Sequence, residues 1–324
     1  MYEIHASVGA VVIGQNEANG LRDTLERTVA EAAHVVYVDS ASTDLSVDIA
    51  RSVGVHVIEL DPTTPVSAAR ARNAGAAWLA DLDDPPDFIQ FVDGDSVLVD
   101  GWIDAALDAF DRNPGHAAVC GWTREAEPRR NVFHAIADIE WKMGDVGIVD
   151  EFAGIVMLRS DVVREVGGYD ETIVAGEEPE FGARIRAAGY TIERLGIFSS
   201  THDIDMTSPA EWWRRSARAG KSYSLTQGLS DDHSSMYASE IRRSLVWGVV
   251  APIVAIVALP WSRLPIAALG TKYAVSAQRA AQSIPSDRAP LDQRAVWGVS
   301  CALSSMPAGI GYLRHRAEHR KSSS

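Results

Sequence analysis

Apolar and polar positions fall in blocks along this chain. Val8 to Ile13 is an apolar run that stops at Gly14-Gln15-Asn16-Glu17, and Ala18 to Ala33 then carries helical spacing. Val35 to Val38 is a second run, closed by Asp39 to Asp44. Another helical stretch, Leu45 to Ser52, leads to a third run at Val55 to Ile58. Strand, helix, strand, helix, strand is the pattern of a parallel sheet with crossover helices. Val66 to Trp78 reads as an alanine-rich helix with Ser67 as its cap. A fourth apolar run, Phe88 to Val92, ends abruptly at Asp93-Gly94-Asp95. The predicted fold class is therefore α/β, a doubly wound, mainly parallel sheet whose strands end in polar residues, as a nucleotide site requires.

Composition narrows the function classes. With 324 residues, 46% hydrophobic and 23% charged, the chain can bury a full core and carry an appendage. A net charge of −14 disfavours a nucleic-acid binder. That total hides an asymmetry: from Glu240 onward there are 11 Lys and Arg against 4 Asp and Glu, while the preceding residues carry 19 against 40. Cys120 and Cys301 lie far apart in apolar surroundings, which suits a reducing compartment. Met1 to His5 leads straight into the first run, so no signal peptide is expected.

Two carboxylates just beyond a strand make a hard-oxygen site for Mg²⁺ or Mn²⁺, which takes its other ligands from water and substrate phosphates. The competing reading of Asp93-Gly94 is a hairpin turn. Asp39, also at a strand end, can hydrogen-bond a base or ribose, or simply turn the chain. Arg70 and Asn73 share a helix face, with Arg72 about two-thirds of a turn from Arg70; guanidinium and amide donors there suit a diphosphate. No glycine-rich phosphate loop is present, which excludes the dinucleotide and Walker types.

Taken in order, Val-Val-Ile-Gly-Gln-Asn16-Glu17, Val-Asp39-Ser-Ala-Ser-Thr-Asp, Ala-Arg72-Asn73-Ala-Gly and Phe-Val-Asp93-Gly94-Asp95 resemble the motifs of family 2 glycosyltransferases of the GT-A fold. The likeness runs over residues 8 to 220, through Phe152-Ala-Gly154, Val166-Gly-Gly-Tyr-Asp170 and Gly176-Glu177-Glu178-Pro-Glu180. It implies a GT-A domain over 1–225 and a metal-dependent inverting transfer from a nucleoside diphosphate sugar, UDP-linked first, to an acceptor hydroxyl. It implies further that Asn16, Glu17, Asp39, Arg70, Arg72, Asn73, Asp93 and Gly94 hold the nucleotide, with Asp93 on ribose or metal. Asp95 and His202 would hold the ion, and Glu178 would be the base where the family normally has aspartate. The rival readings are a retaining transferase, a nucleotidyltransferase, or a silent membrane-surface module.

Glu211-Trp212-Trp213-Arg214-Arg215 would either close over sugar and phosphate or seat a helix at a lipid interface. Trp141 and Asp145 are acceptor-site candidates. Residues 226–324 read as a helical, membrane-associating region. Leu245 to Trp261 is apolar but short for a span, and Ala295 to Leu313 is diluted by serine, glycine and proline. Five basic residues between them argue for helices lying in the cytoplasmic leaflet, with a soluble appendage as the alternative. The expected place is the cytoplasmic face of the cell membrane, in polysaccharide or glycolipid synthesis, with an acceptor that is lipid-linked.

Overall fold

The computed structural model describes residues 7–173, 176–226, 237–286 and 288–322. Two compact units emerge, one of residues up to 126 with 142–203, the other of 127–141 with 204 onward. The division falls at 203/204, so the second unit takes in 204–225 and the 127–141 insertion, both of which the sequence pattern groups with the sheet.

In the first unit, β1 (Val8–Gly14), β2 (His34–Asp39), β3 (His56–Glu59) and β4 (Phe88–Asp93) run parallel in the order β3-β2-β1-β4. The helices α1 (Leu21–Glu31), α2 (Ser46–Val53) and α3 (Ala68–Ala80) make the crossovers. β1, β2 and β4 are almost wholly buried, which is why they read as unbroken apolar runs. One polar residue interrupts them: Gln90 in β4 donates to the carbonyls of Phe91 and Val156 and accepts from the indole of Trp102, so its burial is fully compensated. Gly75 of α3 rests on Val11, where a Cβ would collide with the valine. That helix can lie close to the sheet only because the position is glycine.

The sheet continues through β5 (Ser96–Leu98), β6 (His116–Glu125), β7 (Gly147–Val149), β8 (Val156–Arg159) and β9 (Thr191–His202), in the order β4-β8-β6-β9-β5 with β7 on β9. Helices α4 (Trp102–Arg112), α6 (Ser160–Val166) and α7 (Glu177–Ala187) complete this unit, while α5 (Val132–Glu140) belongs to the other. One apolar cluster, with Val11, Leu79, Phe91, Val162 and Phe181, lies under α3, α6 and α7. A second, with Tyr37, Leu21, Val92, Trp102 and Phe110, lies under α1 and α4. The β4–β5 segment is not a hairpin: β4 pairs with β1 and β8, whereas β5 pairs antiparallel with β9.

The second unit is helical: α5, then α8 (Pro209–Thr226), α9 (Ala238–Leu245), a π-helical turn (Val246–Val250), α10 (Ala251–Ala258), α11 (Leu264–Ser283), α12 (Leu291–Leu303) and α13 (Ser305–Ser322). Its helices approach closely at glycines: a Cβ on Gly220 of α8 would strike the backbone of Ala308, and one on Gly311 of α13 the backbone of Ala217. Small residues at such crossings bring backbones together as they do in bundles that lack a large core. Pro252 follows the π turn, whose wider winding absorbs the missing N–H and the ring that would clash in a regular helix. Because helix begins at 238, ahead of the apolar run, the helical segment is longer than the apolar stretch within it. The helix Ala238–Ala258 is long and apolar enough, by length and composition, to cross a membrane, its most apolar 18 residues having a mean hydropathy of 1.7. The later stretch is broken at Ser304 into α12 and α13.

Candidate active site

The register of the parallel strands brings the acidic strand ends level. Gly14 pairs with Asp39 across β1 and β2, and Ile13 pairs with Asp93 across β1 and β4. Beyond this edge opens a cleft of about 320 Å³ lined by Glu17, Ser40, Asp93, Gly94, Asp95 and His202, with Ala68 of α3 and its cap Ser67. The amide of Gly94 donates to the Ile13 carbonyl at 2.7 Å, which pins the turn between the two aspartates to the end of β1. Pairing of β5 with β9 sets Ser96 opposite His202, so the aspartate before the strand meets the imidazole at its end. His202 Nε2 lies 2.7 Å from Asp95 Oδ2. Burial alone would lower the His202 pKa; the hydrogen bond and charge of Asp95 outweigh it and raise it.

Arg72 links this cleft to a second group of acids. Its side chain is 3% exposed and donates to Asp93 at 3.1 Å and Glu177 at 3.0 Å, with Glu178 at 3.2 Å. The ring of Tyr169 lies 5.3 Å from the guanidinium carbon. Glu177 and Glu178 open α7, after Gly176 in a left-handed conformation (φ 92°). The third acid there, Glu180, is committed to Arg184 at 2.5 and 2.7 Å. Burial pushes the Glu178 carboxyl above its ordinary range, against the pull of Arg72. Gly154 closes this corner: a Cβ there would overlap Asp93 and lie 2.9 Å from the Arg72 guanidinium. One buried cation thus joins an acid of the cleft to the acids of α7.

Residues 10–167 match the family model described as glycosyl transferase family 2. That segment is similar to a glycosyltransferase family 2 domain. The pre-mycofactocin glycosyltransferase of Mycobacterium tuberculosis, found in two strains, is 25% identical over 313 residues, 93% of this chain. The chain spans 64% of that relative's length. Among solved structures, a mannosyltransferase from Pyrobaculum calidifontis in complex with GDP-Man and Mn²⁺ is similar with a TM-score of 0.59, at 15% identity, covering 97% of this chain and 90% of that one. That likeness is one of fold, and the fold is GT-A.

Within the matched segment, several expected nucleotide contacts stand away from the cleft lining. Asn16 (φ 62°) accepts from the Thr43 amide at 2.8 Å and ties the β1 and β2 loops together. Asp39 is buried and accepts from the Ser42 amide at 2.8 Å and the Tyr37 hydroxyl at 3.1 Å. The Arg70 guanidinium donates to the carbonyls of Asp61 and Thr64, and Asn73 holds Tyr169 and Glu171. Gln15, whose amide donates to the Ser40 carbonyl at 2.7 Å, and Ser67 join the lining unannounced. Their sequence signals are position alone: Gln15 lies within the first motif, and Ser67 is the cap of the helix that carries Arg72. In the helical unit, Arg215 forms a two-pronged ion pair with Glu140 at 2.8 and 3.1 Å, and the Trp212 indole donates to Ser300. Both side chains are therefore engaged in packing their own bundle. The Asp145 carbonyl accepts from Arg194, and Trp141 caps α5.

Glu17 gives a test of the cleft's electrostatics. Its pKa is pushed up to about 7, first by burial and then by the charge of Asp95. The folded state therefore holds a proton that the unfolded state has lost between its ordinary 4.5 and about 7, and stability falls as pH rises through that window. The full displacement corresponds to at most about 3 kcal/mol, and solvent screening of a half-buried group reduces it to about 1–2 kcal/mol. Glu17→Gln in EDTA is expected to raise the unfolding free energy by that amount at pH 8 and to leave it unchanged at pH 4. Equal gains at both pH values in urea titrations would contradict the sign.

Proposed function

We propose that the protein is a metal-dependent glycosyltransferase that moves a sugar from a nucleoside diphosphate sugar to an acceptor hydroxyl with inversion. The observation that carries this reading is the joining of two acid groups, Asp93 to Asp95 in the cleft and Glu177 and Glu178 on α7, through the buried Arg72. The donor set fits a divalent ion: Asp95 and His202 offer carboxylate and imidazole side by side, in a cleft where burial and then the charge of Asp95 hold Glu17 up. A bound ion supplies Lewis-acid assistance to a leaving diphosphate.

The chain's own residues do the rest. The cleft receives the diphosphate beside Gly94, whose lack of a Cβ keeps its turn close to Glu17 and the Ile13 carbonyl. Glu178 takes the acceptor hydroxyl proton as that oxygen attacks the anomeric carbon from the face opposite the diphosphate. A carboxylate held above its usual range suits that step near neutral pH. Titration calorimetry with UDP and GDP, each with Mn²⁺ and with EDTA, tests the donor half. Metal-dependent binding is expected in the wild type, with Asp95→Ala losing the metal-dependent part. Equal binding in EDTA would remove the ion from the scheme.

The helical unit supports a place at the cytoplasmic face of a membrane and a role in cell-surface glycan or glycolipid synthesis on a lipid-linked acceptor. Ile256 is 65% and Trp261 81% exposed, and Arg242, Arg243 and Arg263 flank the apolar stretch. Flotation with anionic vesicles is expected for the wild type and lost in Ile256→Glu with Trp261→Glu. Unchanged flotation of that variant would place the contact elsewhere.

A further inference from the structure

A gap lies between α3 and α6, away from the lining of the acid cleft. Its volume is about 330 Å³. The cause is compositional: Ala76, Ala77 and Ala80 present only methyl groups on the side of α3 that faces Ile89, Val163 and Pro86. The gap opens to the surface, with Ala77, Ala80 and Arg164 exposed at its rim, and small-molecule sites of mainly apolar lining start near ~300 Å³.

Two polar groups in the lining lack partners. The Ser160 hydroxyl is buried with no hydrogen bond, although its own amide donates to the Asp87 carbonyl at 2.9 Å. Arg164 is exposed and forms no ion pair among the described residues. An orphaned hydroxyl costs free energy unless something binds it, and a guanidinium is shaped for a carboxylate. We propose that the α3–α6 gap is a binding site for a small amphiphilic carboxylate. The apolar body lies against Ala76, Ala77, Ile89 and Val163, and the carboxylate meets Arg164 and Ser160. The same helix carries Arg72 five residues before Ala77, and Asn73, which lines the gap, holds Tyr169 beside the guanidinium. An occupant would therefore touch the helix that joins the two acid groups.

The test uses the full chain with octanoate and 1-octanol as probes, followed by saturation-transfer NMR and calorimetry. Saturable octanoate binding is expected in the wild type. Ala77→Leu, which fills the gap, is expected to abolish binding of both probes, and Arg164→Ala to weaken octanoate at least tenfold while sparing octanol. Ala80→Val serves in place of Ala77→Leu if the latter fails to melt cooperatively by circular dichroism. No saturable octanoate binding in the wild type, or undiminished binding in the gap-filling variant, would overturn the site. Unchanged octanoate affinity in Arg164→Ala would overturn the carboxylate assignment. Because none of these readings uses sugar transfer, they are independent of the proposed activity.

Discussion

Glu178→Gln is expected to bind nucleotide and metal as the wild type does and to lose transfer by about 10²–10⁴-fold, the range that a positioned general base contributes. The amide keeps the size of the side chain and can still meet Arg72, so α7 should hold its place, but it cannot accept the acceptor's proton. The distinction from Glu177 is geometric. Glu177 is more deeply buried, with 8% of its side chain exposed against 19% for Glu178, and its carboxylate accepts directly from Arg72. Glu177→Gln should therefore cost stability more than turnover. The pH profile adds a second reading: burial of Glu178 raises its pKa, so the acid limb of kcat/KM should lie above the pH of an ordinary carboxylate, with activity falling as pH drops through it. Single-turnover transfer at saturating donor measures the first effect. Near-normal turnover in Glu178→Gln would assign the base to another residue.

The sheet is legible in the sequence where burial is complete on both faces, because β1, β2 and β4 then become unbroken apolar runs with acids at their ends. Asp95 and His202 are legible as types but not as neighbours. Their 2.7 Å contact depends on β5 leaving β4 and pairing with β9, a long-range choice that a local Asp-Gly signal argues against. The α3 residues show the limit more sharply. Helical spacing separates Arg70 and Asn73 from Arg72, yet it does not say which side meets the acids. The buried side proves to be that of Arg72, held close to the sheet by Gly75 against Val11. Arg70 and Asn73 consequently spend their donors on local carbonyls and on the Tyr169–Glu171 loop. In the tail, length was the quantity hardest to read, because a proline that should end a helix is accommodated by a π turn.

Arg72→Ala is expected to destabilise the fold by about 3–5 kcal/mol, the cost of breaking a buried ion pair from one side. Three carboxylates lose their shared partner, two of them mostly buried; Asp93, at 40% exposed, regains water and softens the loss. That is a large part of the roughly 5–15 kcal/mol that holds a typical domain together. Arg72→Lys should recover only a fraction, because one ammonium cannot present parallel donors to Asp93 and Glu177 at once. The decisive comparison is Arg72→Met with Glu177→Gln and Glu178→Gln in one chain. If the penalty is uncompensated charge, this triple variant should be markedly more stable in urea than Arg72→Met alone, although it has lost more polar contacts. If the penalty is lost packing against Tyr169, the added glutamines should restore nothing. The pH dependence separates the two causes again: loss of the guanidinium removes the main influence that lowers the Glu178 pKa, so Arg72→Met should be most destabilised at high pH and partly recover as Glu178 takes up its proton.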